Sequence, residues 1–300
     1  MTAGERPVVR IAAPAKLNLG LEIVGRRPDG YHNLVTIFQA IDLCDALTLA
    51  PAAGDAIRAD LPGLADERNL AVRALERIRE TAGTSAGASL HIRKRIPIAA
   101  GLGGASSDAA AALLAGRAFW RSPASDADLA ALALALGSDV PFFLRGGTAL
   151  ADGRGEQLTP LPTPASAFVI VAPHISIPAK TATLFSRLTP GDWSDGAAVR
   201  TNAARLRAGL PLDPALLGNA FARPLLAMLP ALADVLALLR KAGAPNLALS
   251  GAGPTHYVVL DDSERASALA TTIRNKLAGR ADVVIAHPLA HPPSPRMTYL

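Results

Sequence analysis

The chain has 300 residues, with 30 Lys and Arg against 25 Asp and Glu and a formal net charge of +5. A chain of this length can bury a large core and is typical of two folding units. Its apolar stretches are short, as at 129–136, or are interrupted by proline and charge, so they predict no transmembrane span. Cys44 is the only cysteine, and no apolar segment of signal-peptide length stands near the N-terminus. These features exclude a disulfide framework and lead us to expect a cytoplasmic protein.

The excess of positive charge suits an anionic small molecule as well as it suits nucleic acid. The densest basic run, at 91–95, alternates with Leu90 and Ile92 as a half-buried strand does. Aromatic residues make up only 4% of the chain and do not interleave with this run. A surface that stacks single-stranded nucleic acid is therefore not supported. We expect a small-molecule substrate, no nucleic-acid or membrane partner, and a monomer or weak homodimer.

The first half of the chain reads as a β-rich layer followed by helices. Apolar and polar side chains alternate along 17–23, as in a half-buried strand. The predicted elements are strands at 8–12, 17–23 and 34–41, a helix at 69–80, a strand at 89–94, and helices at 106–119 and 129–136. Three prolines between 157 and 167 mark a domain boundary, which divides the chain into 1–160 and 161–300.

The second half alternates strands and helices. The predicted order is a strand at 168–172, a helix at 180–188, helices within 202–239, strands at 247–249 and 255–260, a helix at 264–277 and a strand at 283–286. This order fits a split β-α-β sandwich with its helices on one face. The proline-rich tail from His291 onward is predicted to be extended.

A loop rich in glycine and serine precedes the helix predicted at 106–119. It reads Pro97-Ile98-Ala99-Ala100-Gly101-Leu102-Gly103-Gly104-Ala105-Ser106-Ser107-Asp108. Free N–H groups at a helix N-terminus attract anions, and glycines let a polyphosphate approach the backbone closely. A Rossmann fingerprint would need glycine at Ser106, and a Walker loop would need lysine after Gly104, so neither spacing applies. The loop predicts a nucleotide phosphate site, with a glycine turn that merely caps the helix as the alternative.

Three motifs, in this order, resemble the GHMP kinase superfamily. They are Pro-Ala-Lys-Leu-Asn-Leu at 14–19, the loop at 97–108, and Leu-Ser-Gly-Ala-Gly-Pro at 249–254. The resemblance spans almost the whole chain and implies a two-domain α+β fold. The N-terminal domain would be a ribosomal-protein-S5-like β-α domain and the C-terminal one a ferredoxin-like split β-α-β domain. The turn at 250–253 would approach the active-site cleft by backbone contact near phosphates, although a simple hairpin turn explains it equally well.

The resemblance implies ATP as the phosphoryl donor, bound by residues 97–107. ATP chemistry in turn implies Mg²⁺, which bridges phosphate oxygens. No carboxylate cluster in the sequence identifies the metal ligands, and Ser106 or Ser107 is the candidate. Scattered histidines and a single cysteine lack the spacing of a zinc site.

Two further segments narrow the resemblance to one branch of the superfamily. Arg-Pro-Asp-Gly-Tyr-His at 27–32 and Gly-Ser-Asp-Val-Pro-Phe at 137–142 look like the branch that phosphorylates cytidine-diphosphate-linked methylerythritol. That branch serves the non-mevalonate isoprenoid route and acts on a tertiary hydroxyl. Asp139 then matches the base that accepts the hydroxyl proton. Lys16 matches the cation that keeps this carboxylate ionised and stabilises charge on the attacked oxygen.

The same branch implies a binding site for the cytidine. Tyr31 would stack on the cytosine, and His32 would hydrogen-bond to the edge of the base. Phe185 would close the other side of the base. Asn18 and Thr181 would bond to the hydroxyls or the diphosphate of the substrate. Without the resemblance, Tyr31 would be assigned to packing under its own hairpin, His32 to the surface and Phe185 to the core. Asp139 would be assigned to capping a helix.

The phosphate loop departs from the family in composition. The family commonly has glycine at Ala99, Ala100 and Ala105, and alanine has less access to positive φ, so we expect the path of the loop to differ locally. Asp108 adds negative charge where an anion should bind, which is tolerable if its side chain caps backbone amides.

Two alternatives remain open at this point. Another GHMP kinase, acting on homoserine or mevalonate, would share the three motifs but would have no base to enclose between aromatic rings. An RNA-binding protein with a β-α-β domain would bind with steep salt dependence and without ATP turnover, but it leaves the glycine loop unexplained.

Overall fold

Two β-sheets organise the computed structural model, which describes residues 7–60, 69–175 and 180–299. The first sheet, among these residues, consists of β1 (Pro7–Arg26), β2 (His32–Pro51), β3 (Ile57–Asp60), β4 (Ala88–Arg93), β5 (Thr148–Asp152), β6 (Gln157–Leu161) and β11 (Arg296–Tyr299). The second sheet consists of β7 (Ala167–Pro173), β8 (Ala248–Leu249), β9 (His256–Leu260) and β10 (Ala281–Ala286). The helices are α1 (Leu70–Thr81), α2 (Gly104–Phe119), α3 (Asp126–Leu136), α4 (Val140–Arg145), α5 (Lys180–Ser186), α6 (Ala197–Arg207), α7 (Ala222–Met228), α8 (Pro230–Lys241) and α9 (Ser263–Leu277).

The long hairpin of β1 and β2 forms the centre of the first sheet. Strands predicted separately at 8–12 and 17–23 are one strand, because the break between them is a shift of register and not a loop. One shift lies between Pro14 and Ala15, and another between Asn18 and Leu21. Such irregularities bend a strand and change where its side chains point. They flank Lys16 and Asn18, two of the predicted site residues.

Helix α2 packs behind the first sheet and is built mainly of alanine. Residues 109–112 are fully buried, and their small side chains allow α2 to lie close to the sheet and to α1. At Gly116 even a methyl group would be only 2.5 Å from Ile78 Cγ2. The helix begins directly after Gly103, so the glycine loop leads straight into its N-terminus.

The second sheet has the antiparallel order β10-β7-β9-β8 and is covered on both faces. Phe168 and Ile170 on β7 face the β1–β2 hairpin, whereas Val169 and Val171 face helices α8 and α9. This alternation explains why every residue of β7 is buried. Tyr257 on β9 crosses between the sheets, because its hydroxyl donates to the carbonyl oxygen of Asn18 at 2.7 Å.

The α+β class is confirmed, and each predicted helix or strand has a counterpart in the structure. Four elements were not predicted: β3, α4, β5 and β6. The proline-rich segment 157–167 contains β6, in which Pro160 lies opposite Ala149 on a strand that pairs only with β5. Proline is tolerated there because an edge strand leaves some N–H groups unused. The extended tail ends as β11, which pairs with β1.

In the described part of the chain, no single helix is both long and apolar enough to cross a membrane. The α7–α8 pair reaches that length and composition only when its two helices are counted together across a 117° bend.

Candidate active site

A cleft of about 1360 Å³ lies between the two halves of the molecule and gathers nearly all of the predicted site residues. Those that line it are Lys16, Asn18, Tyr31, His32, residues 97–106, Asp139, Thr181 and Phe185. Ser107 does not line it, since its side chain is turned into the buried side of α2. The residues predicted for the polyphosphate, base and acceptor sites, which are spread over most of the sequence, thus line one space.

Lys16 and Asp139 meet inside this cleft. The Nζ of Lys16 lies 3.3 Å from Oδ2 of Asp139. Lys16 is buried, with Nζ 4.8 Å from the centre of the Phe38 ring, whereas the Asp139 side chain is one-third exposed, at 33%. The ammonium also donates to Oδ1 of Asn18 at 2.6 Å. The carboxylate is therefore open to a ligand on one side and held by a cation on the other.

Asp139 occupies the residue before α4, where an aspartate would ordinarily cap the helix. Its side chain makes no capping hydrogen bond. Helix α4 instead begins with Val140-Pro141, and proline fits the first turn because it lacks the N–H that a cap would satisfy. The capping alternative is therefore not the arrangement found, and the carboxylate is left for Lys16.

The phosphate loop has the alternating backbone of an anion-binding nest. Ala99, Gly101 and Gly103 have φ values of 54°, 85° and 73°, while the residues between them do not have positive φ. Residues that alternate in this way turn successive N–H groups toward one concavity. Alanine therefore does not prevent the left-handed conformation at position 99, although that conformation costs about 1 kcal/mol. At Gly101 the glycine is required, because a Cβ there would lie 2.4 Å from the carbonyl oxygen of Ser250.

Four consecutive carbonyl groups of the loop, from Ala99 to Leu102, accept hydrogen bonds. Their donors are, in order, Lys180 Nζ at 2.5 Å, Thr255 N at 3.3 Å, Ser250 Oγ at 3.0 Å and Lys16 N at 2.9 Å. Three of these donors come from the second half of the chain. The turn at 250–253 thus contacts the phosphate loop directly, as the superfamily resemblance implied.

Aromatic side chains line the other end of the cleft. The rings of His32 and Phe185 lie 5.3 Å apart at 23°, and Phe221 contacts Phe185 edge-on at 4.8 Å. A base between two rings needs about 7 Å between them, so none fits between His32 and Phe185 as they stand. Tyr31 is 56% exposed, with the Arg154 guanidinium 4.9 Å from its ring centre. One face of Tyr31 is thus occupied and the other remains for a ligand.

Two family models match the chain, the GHMP kinases N terminal domain over residues 69–147 and the GHMP kinases C terminal domain over residues 197–279. A 4-diphosphocytidyl-2-C-methyl-D-erythritol kinase from Pelotomaculum thermopropionicum is 41% identical over 274 residues, which cover 89% of this chain and 94% of the relative. The chain belongs to the 4-diphosphocytidyl-2-C-methyl-D-erythritol kinase family. A relative of the same name from Ralstonia nicotianae is 38% identical and covers 93% of this chain and 94% of its own.

Solved structures agree with membership of this kinase family. A crystal structure of 4-(cytidine 5'-diphospho)-2C-methyl-D-erythritol kinase is 35% identical, has a TM-score of 0.78, and covers 93% of this chain and 99% of its own. A homoserine kinase from Cytophaga hutchinsonii, only 20% identical, shares the fold with a TM-score of 0.72 over 99% of both chains. The two-domain GHMP kinase fold is confirmed, and the protein is an ATP-dependent small-molecule kinase.

Beside the phosphate loop of this kinase lies an ion cluster that the sequence did not reveal. Lys94 bonds to Oδ2 of Asp45 and to Oδ2 of Asp108, the latter at 2.6 Å. Oδ1 of Asp45 accepts from the N–H groups of Arg95 and Ile96, which fixes the start of the loop. The expectation that Asp108 caps backbone amides is wrong, because the ion pair with Lys94 takes its side chain.

Burial raises the pKa of Asp108 to about 7, although Lys94 opposes the shift. Burial is the largest cause because it disfavours the charged carboxylate, and the nearby carboxylate of Asp45 adds a smaller rise in the pKa. The other oxygen of Asp108, Oδ1, is buried and has no hydrogen-bond partner, and the same holds for Oγ of Ser107. Within the described residues there is no group of three or more His, Cys, Asp and Glu side chains arranged to hold a metal ion.

The structure shows the surroundings of Asn18 and His32, two residues that the resemblance implied for the acceptor site. Asn18 is buried, donates from Nδ2 to Oγ1 of Thr36 at 3.0 Å and accepts from Lys16. It therefore orients the ammonium, a function that the sequence did not suggest. Burial lowers the pKa of His32, which favours the neutral ring with one donor and one acceptor nitrogen. Thr181 lies on α5 beside Lys180, also in the cleft.

We expect the charge of Asp108 to appear in the pH dependence of stability. Its pKa lies near 7 in the folded protein, against about 3.9 in an unfolded chain. The protonated carboxyl therefore stabilises the fold at low pH, and that contribution is lost as the pH rises from about 4 to about 7. Asp108→Asn stays neutral throughout, so its melting temperature relative to the wild type should increase between pH 5 and pH 8.

The control for this measurement is Asp126→Asn, which changes a carboxylate that is 94% exposed. Its melting temperature relative to the wild type should stay nearly constant over the same pH range. A constant difference for Asp108→Asn as well would contradict the raised pKa.

Proposed function

We propose that the protein transfers the γ-phosphoryl group of ATP to the tertiary 2-hydroxyl of 4-diphosphocytidyl-2-C-methyl-D-erythritol, in the non-mevalonate route to isoprenoid precursors. The relatives that carry this substrate in their name support the proposal over most of the chain length. The observation that carries its chemistry is the 3.3 Å contact of Lys16 with Asp139 in the cleft that also contains the phosphate loop.

Asp139 serves as the general base in this mechanism. A tertiary alcohol is a hindered and weak nucleophile, so a carboxylate that accepts its proton during attack on the γ-phosphorus assists the reaction. The nearby ammonium of Lys16 stabilises negative charge on the reacting oxygens. Phosphoryl transfer passes through a loose transition state, so the remaining acceleration comes from positioning and charge neutralisation.

The nest at 97–107 binds the phosphates of ATP through its backbone N–H groups and the N-terminus of α2. A Mg²⁺ ion bound with the nucleotide would neutralise part of the phosphate charge. Oxygen donors suit this ion, and Ser106 and Asp108 line the cleft at the start of α2. The unpartnered Oδ1 of Asp108 supports a ligand role for that residue in particular.

Cytosine binds at the aromatic end of the cleft. Its ring stacks on the free face of Tyr31, opposite Arg154, and Phe185 covers its other side. The neutral ring of His32 bonds to the edge of the base, where both a donor and an acceptor are needed. Thr181 bonds to the hydroxyls or the diphosphate of the substrate, and Asn18 acts mainly by holding Lys16.

Substrate choice tests the proposal most directly. Wild-type protein with Mg-ATP should release ADP in the presence of the cytidylyl methylerythritol but not of homoserine or mevalonate, because only the first has a base to place between Tyr31 and Phe185. Release of ADP is measured in parallel reactions at equal acceptor concentration. ADP release with homoserine or mevalonate alone would assign the protein to another GHMP kinase activity.

Asp139→Asn tests the base. The amide keeps the size of the side chain but cannot accept the hydroxyl proton, so turnover should fall by about 10²- to 10⁴-fold. The KM for ATP and the melting temperature should change little. Asp126→Asn is the matched control and should retain full turnover, and near-normal turnover in Asp139→Asn would refute the base assignment.

His32→Ala tests the cytidine site. Loss of a hydrogen bond to the base should raise the KM for the cytidylyl substrate about tenfold, while the KM for ATP stays within about twofold. Steady-state kinetics with each substrate varied in turn separate the two effects. The exposed His174, which pairs with Asp282 and does not line the cleft, provides the control His174→Ala. Equal increases in both KM values would count against this role.

A further inference from the structure

Lys180 is the first residue of α5 and belongs to the second half of the chain, yet its ammonium lies against the phosphate loop of the first half. Its Nζ donates to the carbonyl oxygen of Ala99 at 2.5 Å and to that of Gly253. The residue is only 7% exposed, and it lines the cleft. One side chain thus joins the loop that should hold phosphate to the turn at 250–254.

The charge of Lys180 differs from that of the other two lysines in the cleft. Lys16 is paired with Asp139, and Lys94 is paired with two aspartates. Lys180 has no ion pair with any carboxylate in the described part of the chain, and both of its hydrogen-bond acceptors are neutral carbonyl groups. Burial lowers its pKa to about 8 without an acidic neighbour to oppose the shift.

An ammonium has three N–H donors, and the two carbonyl groups use two of them. One donor and the whole positive charge therefore remain for a ligand in the cleft. The phosphate loop contains no lysine, and the chain has none between Lys94 and Lys180. In a Walker loop a lysine within the motif reaches the phosphates of the nucleotide, and this chain has none at that position.

We propose that Lys180 binds the triphosphate of ATP and sets the position of the phosphate loop. The two neutral carbonyl groups hold its ammonium at the loop, and the unpaired charge neutralises phosphate oxygens that the nest receives. The second half of the chain thereby supplies the cation that the loop sequence lacks. The proposal rests on the ATP-dependent activity described above and adds a residue that binds the charged triphosphate.

Three variants separate the charge of Lys180 from its role in joining the two loops. Lys180→Gln keeps two N–H donors but has no charge, Lys180→Arg keeps the charge and the donors, and Lys180→Met keeps neither. Lys276→Met, which changes an exposed lysine on α9, is the matched control. Calorimetric titration with Mg-ATP, without acceptor, measures affinity, and thermal unfolding reports whether the loops remain joined.

We expect Lys180→Gln to weaken ATP binding by about ten- to a hundredfold, the loss of one charged hydrogen bond to phosphate, with little change in melting temperature. Lys180→Arg should retain most of the affinity for Mg-ATP. Lys180→Met should bind Mg-ATP more weakly and should also melt at a lower temperature than the wild type. Lys276→Met should match the wild type. In steady-state assays, the KM for ATP should rise in Lys180→Gln while the KM for the cytidylyl substrate stays within about threefold.

Wild-type ATP affinity in Lys180→Gln would overturn the proposal. A loss confined to the cytidylyl substrate would also overturn it, because the charge would then serve the diphosphate of the acceptor. Since the titration contains no acceptor, it remains decisive even if the cytidylyl methylerythritol proves not to be the substrate. A wrong acceptor and a wrong role for Lys180 are therefore distinguishable.

Discussion

Hydrogen bonds hold four successive carbonyl groups of the phosphate loop, and the candidate site depends on this constraint. A peptide unit whose oxygen is fixed in one direction presents its N–H in the opposite direction, so the bonds to Ala99–Leu102 aim the amides of the loop into the cleft. Positive φ at alternate residues allows successive peptide units to take this orientation in a continuous backbone. The loop is therefore shaped by hydrogen bonds to its carbonyl groups, and of their donors only Lys180 is proposed to contact the nucleotide as well.

Because most of those groups come from the second half of the chain, the phosphate site exists only when the two sheets are docked. The docking surface is extensive and specific: Leu17 and Leu19 on β1 pack against Ile170 on β7, and the Tyr257 hydroxyl bonds to the Asn18 carbonyl across the interface. Residues 13–21 of β1 are buried without interruption, and Lys16 lies in this segment, next to a shift of register. The packing that folds the molecule is the same packing that assembles the reacting groups.

The sequence predicted the elements with strong periodicity and, through the family resemblance, the meeting of Lys16 with Asp139. It did not predict α4, whose six residues are too few for a helical period, or β6, where Pro160 reads as a break. It also missed the importance of Lys180, for a different reason. The partners of that lysine are backbone carbonyl groups, and no pattern of side chains reports the direction in which a carbonyl points.

The contact of Phe185 with His32 has a consequence for how an acceptor enters. With these rings 5.3 Å apart, Phe185 must separate from His32 before it can cover a base that stacks on Tyr31, and that displacement draws on the binding free energy of the base. A flexible aliphatic alcohol offers no flat surface with which to recover this cost. Binding at this end of the cleft thus carries an opening cost that only a flat ligand can offset.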